Sequence, residues 1–365
     1  MATKKRVVIS GYYGFDNTGD EAVLYAILRA LEQECKEITL EVTVLSNQPE
    51  KTSQLYGVRA IDRWDIKEVY KTVKNSDLLI SGGGSLLQDV TSNKTVPYYL
   101  LIIKMAQWHK KEVVFYSQGY GPVNKSFNKY LIKKVLNKIN YIFVRDNNSK
   151  KALLDIGVTK SPITVVADPV LGMEANKEAV VKMKNHIESY SKGKLRMGIY
   201  LRSWKNDHKL IDKMRILCEI LESEGLDVFF IPMQQPEDSA FLKAIDFPDI
   251  SLYKIIDHLD VQEVFALTGQ MDLVIGMRLH ALIMAAAQGV PVVGLSYDPK
   301  VKDFMEAIDH KDCFDVETFD PKDVANRVLT QIVNMEKEKG NILYKRELLI
   351  DKVYEPAKRI NQILT

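Results

Sequence analysis

Short apolar runs, each released into a glycine-bearing loop and then into an amphipathic stretch, recur along almost the whole chain. Strands buried on both faces read as unbroken apolar runs, whereas helices packed on a sheet repeat their apolar residues every three or four positions. In the first half the strand-like runs are Arg6–Ser10, Glu41–Leu45, Leu78–Ile80, Glu112–Tyr116, Ile139–Val144 and Thr164–Val166. Helical patterns over Asp20–Glu34, Ile66–Asn75, Tyr98–Lys110, Lys125–Lys138 and Asn148–Asp155 fall between them. That order predicts βα units in a mostly parallel sheet with helices on both faces.

A polar, lysine-rich stretch over 174–194 reads as a helix or linker, and a second α/β set starts at Leu195. LRMGIYL, LDVFFIP, MDLVIG and VPVVGLS are its strands. Residues 209–224, 259–267, 279–288 and 301–307 are helical, and beyond Pro321 the chain is largely helical with Lys and Glu on its polar face. The expected fold class is therefore α/β, with two Rossmann-like domains facing a cleft. The first covers 1–172, a linker or helix 173–194, the second domain 195–340, and a C-terminal helix 341–365 is placed to pack back on the first domain. In such sheets ligands sit beyond the carboxyl ends of the strands.

Several function classes are disfavoured at once. Lys and Arg number 50 against 48 Asp and Glu, a balance that argues against a dedicated nucleic-acid binder. Cys35, Cys218 and Cys313 stand far apart with no zinc spacing, which fits a reducing compartment. The start MATKKRVVIS lacks the apolar core of a signal peptide, and no run reaches ~18 uncharged apolar residues. A cytoplasmic chain without a transmembrane segment is expected. HExxH, clustered metal ligands and a GxSxG elbow are all missing from the sequence, so no metal is expected.

The strand-to-helix loops carry the chemistry. GYYGFDNTGDEAVL after the first strand is neither GxGxxG nor a Walker loop. Its helix starts near Asp20, where free N–H groups face the ligand side. Asp20 and Glu21 stabilise the helix dipole, or Asn17 or Asp20 contacts a sugar hydroxyl or a catalytic side chain. Tyr12 and Tyr13 read either as a stacking wall for a sugar or as packing. In LLISGGGSLLQD, residues 78–89, the bare backbone of Gly82, Gly83 and Gly84 presents amides to an anion or forms a tight turn, and Ser85 is a candidate cap for a helix behind it. VVFYSQGYGP, residues 113–122, repeats the form with Gln118, Gly119 and Gly121. Arg145, at the end of YIFV, is either a planar fork for carboxylate or phosphate or half of a structural pair with Asp146.

In the second domain GIYLRSW ends with Arg202 and Trp204. The strongest element is MDLVIGMRLHALIMAAAQGVPVVGLSYDPKV, residues 271–301. Arg278 and His280 stand at a helix start, an unfavourable place for idle positive charge that a bound anion would offset. Tyr297, Asp298 and Lys300 follow the next strand on the same rim. The structural alternative for His280 is an ordinary packed histidine; the other five of the six histidines lie scattered in polar surroundings.

Taken in order, GYYGFDNTGDEAVL, SGGGSLLQD, YSQGYGP, FVRDNNSKKALLDIG, ADPV and IGMRLHALIMAAAQGVPVVGLSYDPKV resemble the polysaccharide pyruvyl transferases, most closely the bacterial CsaB type, over residues 6 to about 310. The resemblance implies a GT-B-like fold without nucleotide-sugar chemistry. It implies phosphoenolpyruvate as donor substrate rather than cofactor, no redox cofactor, and ketal formation on N-acetylmannosamine of a secondary cell-wall polymer, the polymer that anchors an S-layer. Arg145, Arg278 and His280 fall on the family's anion-binding and acid/base positions. Arg202, Gly83 and Gly84 are further donor-binding candidates, and Tyr12, Tyr13, Asn17 and Gln118 are acceptor-binding ones. His280, as imidazolium, is the expected proton donor to C3 of the enol, with a bound phosphate favouring its charged form. Asp16, Asp20 or Glu21 is the candidate base for the acceptor hydroxyl. A lipid-linked saccharide acceptor reached from the cytoplasm is implied, with lysine-rich stretches such as 125–138 as candidates for peripheral membrane contact. The rival readings are a GT-B glycosyltransferase releasing a nucleotide and a saccharide-binding module without turnover.

Overall fold

Val7, Val8 and Ile9 lie wholly inside the protein, at the centre of β1 (Lys4–Tyr13). The computed structural model describes residues 4–90, 92, 94–191, 194–205, 207–245 and 253–365, and the chain divides into two compact units. Residues 1–15, 23–172 and 349–365 form the first, and residues 16–22 and 173–348 the second.

In the first unit β1 is followed by α1 (Thr18–Glu34), which belongs to it from Val23 onward, then β2 (Thr39–Ser46), α2 (Pro49–Tyr56), β3 (Arg59–Asp62), α3 (Ile66–Lys74) and β4 (Leu78–Gly82). α4 (Thr95–Trp108), β5 (Glu112–Gln118), α5 (Ser126–Leu136), β6 (Tyr141–Val144), α6 (Asn147–Asp155) and β7 (Ile163–Val165) complete the sheet. The strand order is β3-β2-β1-β4-β5-β6-β7, parallel throughout. That is the doubly wound order with one added edge strand, and the order reverses between β1 and β4, where such sheets take ligands. Side chains hold the helix starts: Asp65 accepts from Lys67 N and Glu68 N at 3.1 Å, and Asp146 from Ser149 N at 2.6 Å. Each such cap satisfies donors that the helix cannot pair itself.

α2 and β3 escaped the periodicity reading for a physical reason. PEKTSQLY is polar with little buried beyond Thr52. RAID is a four-residue edge strand, half solvated, with no apolar run to announce it.

The second unit repeats the plan. Its elements are α7 (Lys177–Glu188), β8 (Arg196–Tyr200), α8 (Asp207–Ser223), β9 (Asp227–Phe230), α9 (Glu237–Ala244), β10 (Tyr253–Ile255), α10 (Val261–Thr268), β11 (Leu273–Gly276), α11 (Leu279–Ala287), β12 (Val292–Ser296), α12 (Pro299–Ala307), β13 (Cys313–Asp315), α13 (Pro321–Val333) and α14 (Met335–Leu364). The order β10-β9-β8-β11-β12-β13, again all parallel, reverses between β8 and β11. The stretch expected as linker or helix forms α7, which is tied to α10 by a Lys182–Glu263 ion pair and by Asn176 N donating to Gln262 Oε1 at 2.9 Å. Residues 192–193 of that stretch lie outside the described residues.

α14 is shared. Up to Leu348 it belongs to the second unit, where Leu343 lies on the Gly289 backbone and Lys345 pairs with Asp309 at 3.1 Å. From Leu349 it belongs to the first, burying Val353, Ala357, Ile360 and Leu364 there. Among the described residues no helix is long and apolar enough to cross a membrane.

Candidate active site

β11 is buried throughout and ends at Gly276. Met277 N extends its ladder to Tyr200 O of β8 at 2.9 Å, and the chain turns at Arg278 to start α11. Arg278 is the N-cap and supplies no side-chain cap. α11 is otherwise a buried run of Leu, Ile, Met and Ala, in which His280 is the half-buried polar residue. The guanidinium of Arg278 makes a bidentate ion pair with Asp238 in the first turn of α9: Nε donates to Oδ2 at 2.9 Å, and Nη2 to Oδ1. Asp238 is 1% exposed. Its Oδ2 also accepts from Met233 N at 3.2 Å and Gln234 N at 3.1 Å. A planar fork held at two points has little rotational freedom left.

The 233–235 loop is the hub of this arrangement. Met233 O accepts from Thr18 N at 2.7 Å, Gln235 N donates to Asp16 O at 3.0 Å, and Asn17 Nδ2 donates to Gln234 Oε1 at 2.7 Å. Asn17 Oδ1 meanwhile accepts from Gly19 N at 3.0 Å and Asp20 N at 3.4 Å, so its amide caps α1 with one end and grips the loop with the other. Gly19 lies directly against the His280 imidazole; a Cβ there would overlap Nδ1. Asp16 has a positive φ of 54°. One hydrogen-bonded set within the second unit thus connects the loop before α1, the 233–235 loop, Asp238 and Arg278, and the His280 ring packs against its Gly19.

A second set surrounds Tyr297. Arg202 Nη1 donates to the phenol oxygen at 3.2 Å and its guanidinium carbon lies 5.0 Å from the ring centroid. Trp204 packs 4.8 Å from the ring and Lys300 Nζ lies 5.6 Å from it. Burial would raise the phenol, but Lys300, Arg202 and Arg278 together outweigh it and hold Tyr297 below the ordinary tyrosine value. Asp298 caps α12 through Lys300 N at 3.1 Å and pairs with Lys300 Nζ at 3.3 Å. This cationic cluster lies past the C-terminal ends of β8 and β12.

In the first unit the glycine loops pack against one another. Gly83 and Gly84 take positive φ of 76° and 65°, and Gly83 leaves no room for a Cβ beside Val23. Gln118 is buried, its Nε2 donating to Ser81 O at 2.6 Å and Ser81 Oγ at 2.9 Å. Tyr13 is buried with its hydroxyl donating to Gly82 O at 2.9 Å. Gln118 and Tyr13 brace the loops from within. Tyr12 is exposed and stacks on Phe15, centroids 4.0 Å apart, so the paired Tyr12–Tyr13 wall read from the sequence is split between surface and core. Arg145 is nearly buried; Nη1 pairs with Asp168 at 3.2 Å and Nη2 donates to Ser85 Oγ at 3.1 Å. Ser85 therefore caps no helix as the sequence suggested: the next one, α4, starts only at Thr95, and the hydroxyl holds Arg145 instead. Gly119 leaves the space that this side chain fills.

With that geometry in hand, the family model for polysaccharide pyruvyl transferase matches residues 17–299. The chain belongs to this family. No curated protein sequence matches it. Among solved structures, this pyruvyl transferase chain is similar to HepE of Anabaena in complex with UDP and glucose, at 14% identity, TM-score 0.66 and 98% coverage of each chain. It is also similar to a putative UDP-N-acetylglucosamine 2-epimerase from Listeria monocytogenes, at 13% identity and TM-score 0.63 over 93% of this chain and 91% of that one. The UDP-GlcNAc 2-epimerase from Methanocaldococcus jannaschii matches at 14% identity and TM-score 0.60 over 99% of both. These likenesses show the fold: two Rossmann-like domains of GT-B type.

The pyruvyl transferase match includes Asn17, Asp20, Arg145, Arg202, Arg278 and His280, while Tyr12, Tyr13 and Asp16 precede it. Sequence reasoning missed Asp238 and the 233–235 loop. The available signal was an acid in the first turn of a helix just after an apolar strand, in IPMQQPEDS, which reads equally well as a dipole partner.

Proposed function

We propose that this chain transfers a pyruvyl group from phosphoenolpyruvate to two hydroxyls of an N-acetylmannosamine residue in a cell-wall polysaccharide precursor, as the CsaB type does, forming a cyclic ketal and releasing phosphate. The observation that carries the reading is the helix start at Arg278–His280. A carboxylate-locked arginine, an uncapped helix N-terminus and an imidazole share one turn, in a chain of the pyruvyl transferase family. Phosphoenolpyruvate brings a carboxylate and a phosphate, and the Arg202–Lys300 cluster adjoining Tyr297 supplies further positive charge in the same unit. Amide donors and fixed cations at a helix start suit such an anion.

The reaction balances without an oxidant or reductant. His280 gives a proton to C3, turning the methylene into a methyl group and leaving oxocarbenium character at C2. The first sugar hydroxyl adds to C2 and loses its proton, which restores the imidazolium. Phosphate then departs from C2 with the C–O bonding pair, and the second hydroxyl closes the ketal and gives its proton to solvent or phosphate. The Asp16, Asp20 and Glu21 carboxylates before and within the first turn of α1 are the nearest acids in sequence to Gly19, which touches the imidazole, and one of them serves as the base that relays the second hydroxyl's proton to solvent.

The test is a mass-spectrometric assay with phosphoenolpyruvate and amino-sugar acceptors, free and lipid-linked, in deuterated water. Deuterium in the ketal methyl and stoichiometric phosphate are expected. His280→Gln keeps a hydrogen-bond donor but loses the proton exchange, so turnover should fall roughly 10²-fold with donor binding and fold retained. Release of a nucleotide from a nucleotide sugar in place of phosphate from phosphoenolpyruvate would replace this reading with a glycosyltransferase.

A further inference from the structure

Arg63 is a buried cation of the first unit that neither the family resemblance nor the glycine loops account for. It follows β3 directly and is 3% exposed. Among the described residues no carboxylate pairs with it. Nη1 donates to Gly11 O at 2.8 Å, Nη2 to Tyr99 Oη at 3.2 Å, and Nε is buried without a hydrogen-bond partner. What surrounds the guanidinium is aromatic. Its central carbon lies 4.7 Å from the Tyr98 ring centroid, 5.0 Å from Phe15, 5.2 Å from Trp64 and 5.5 Å from Tyr99. Taking a cation out of water without an acid partner is costly, and four ring faces are the compensation present.

The rings that this cation gathers are held in place, yet Trp64 stays largely exposed and Tyr98 partly so. Trp64 is 56% exposed, but its Nε1 donates to Asn47 Oδ1 at 2.9 Å, and Asn47 Nδ2 donates to Gly14 O at 3.2 Å. Tyr98 is half-buried, its hydroxyl donating to Arg63 O at 3.0 Å and its ring 5.4 Å from Trp64. Tyr12 is exposed and lies parallel on Phe15. An exposed tryptophan is usually mobile; this one is pinned by an amide that is itself pinned to the first loop. The platform stands at the carboxyl ends of β1, β2 and β3, the side of a doubly wound sheet on which ligands bind.

We infer that the Trp64–Tyr98 platform, built on Arg63 and flanked by Tyr12, is a stacking subsite for a pyranose ring of the saccharide acceptor. This rests on the pyruvyl-transfer reading for the ligand's identity. Flat, rigid ring faces with a few polar groups at the edge suit the C–H face of a sugar, whose hydroxyls point outward to the rim. Arg63 does not touch the sugar. It is a positioning residue that sets the rings, with Asn47 fixing the indole.

The experiment compares wild type with Trp64→Ala, Trp64→Phe and Asn47→Ala, using an N-acetylmannosamine-containing disaccharide as acceptor and calorimetry for phosphoenolpyruvate. Because Trp64 is more than half exposed, the variants should fold, which circular dichroism checks. Trp64→Ala should raise acceptor KM about tenfold, with kcat and donor affinity little changed, and Trp64→Phe should recover part of the loss. The disaccharide should shift the tryptophan emission of the wild type, and Trp64→Phe should remove that shift. An acceptor KM within twofold of wild type in Trp64→Ala, or a Trp64 response to UDP at lower concentration than to any saccharide, overturns the subsite. The two readings fail separately. Saccharide binding on Trp64 without phosphoenolpyruvate consumption removes the reaction and leaves the platform. Ketal formation indifferent to Trp64 does the reverse.

Discussion

Gly19 is where the smallest change should have a legible chemical effect. A methyl group there overlaps Nδ1 of His280, so the imidazole has to rotate away from its seat. Alanine is a better helix former than glycine, and the position lies in the first turn of α1. If His280 acts as proposed, Gly19→Ala should lower pyruvyl transfer roughly tenfold or more, since misplacing a reacting group by even an ångström is costly, while the gain in helix propensity offsets part of the packing cost and the protein still folds. A normal rate in a folded Gly19→Ala protein would show that the imidazole need not sit where the structure puts it. Tyr297 offers a second check, independent of turnover. Its phenol is held below the usual value by Lys300, Arg202 and Arg278, against the effect of burial. Between that lowered value and the unfolded one near 10, the native protein binds fewer protons than the unfolded chain, so stability contributed by Tyr297 grows with rising pH. It is lost as pH falls through the native value. Ultraviolet titration of the native protein should show one phenol ionising ahead of the rest, and Tyr297→Phe should abolish that early step. A titration unchanged by the substitution would contradict the cationic cluster.

At the level of elements, legibility followed burial. β1, β4, β5 and β11 are buried on both faces, and their apolar runs were plain in the sequence; so was the Arg278–His280 helix start, because an arginine and a histidine interrupt an otherwise apolar stretch. β3 is an edge strand and α2 is polar, so neither has a period to read. Asp238 and Arg63 were invisible for a different reason. Each matters through partners 40 or 52 positions away, and no local pattern encodes such a distance. Tyr13 and Gln118 show the converse: they sit in loops that read as functional, and the structure buries both, with the Tyr13 hydroxyl and the Gln118 amide nitrogen holding backbone from inside. α14 carries a testable consequence of its own. Its later half packs Val353, Ala357, Ile360 and Leu364 into the first unit, and Tyr354 donates to Gly172 O at 3.4 Å. Fully burying an aliphatic side chain of this size is worth about 1.5–3 kcal/mol, so a chain ending at Leu348 should lose several kcal/mol of stability in the first unit. Hydrogen exchange should show residues 166–172 losing protection first, together with a lowered thermal midpoint; unchanged protection there would mean that the helix packs without stabilising.

For the molecule as a whole, neither unit is a continuous piece of chain. The first needs residues 1–15, 23–172 and 349–365; the second takes residues 16–22 and then 173–348. The seven-stranded sheet is assembled from residues that precede the six-stranded one, yet the helix that closes its core comes after it. The second unit in turn draws the Asn17 cap and the Gly19 seat of His280 from a segment made before almost everything else in that unit. Order of synthesis and order of completion therefore run in opposite senses. A ribosome that has produced 172 residues has released a sheet whose closing helix does not yet exist, with its first loop still waiting for the 233–235 loop that will hold it. Folding of the amino-terminal half is finished from the far end of the chain, so the apolar face that Val353, Ala357, Ile360 and Leu364 will cover stays open while residues 173–348 are made.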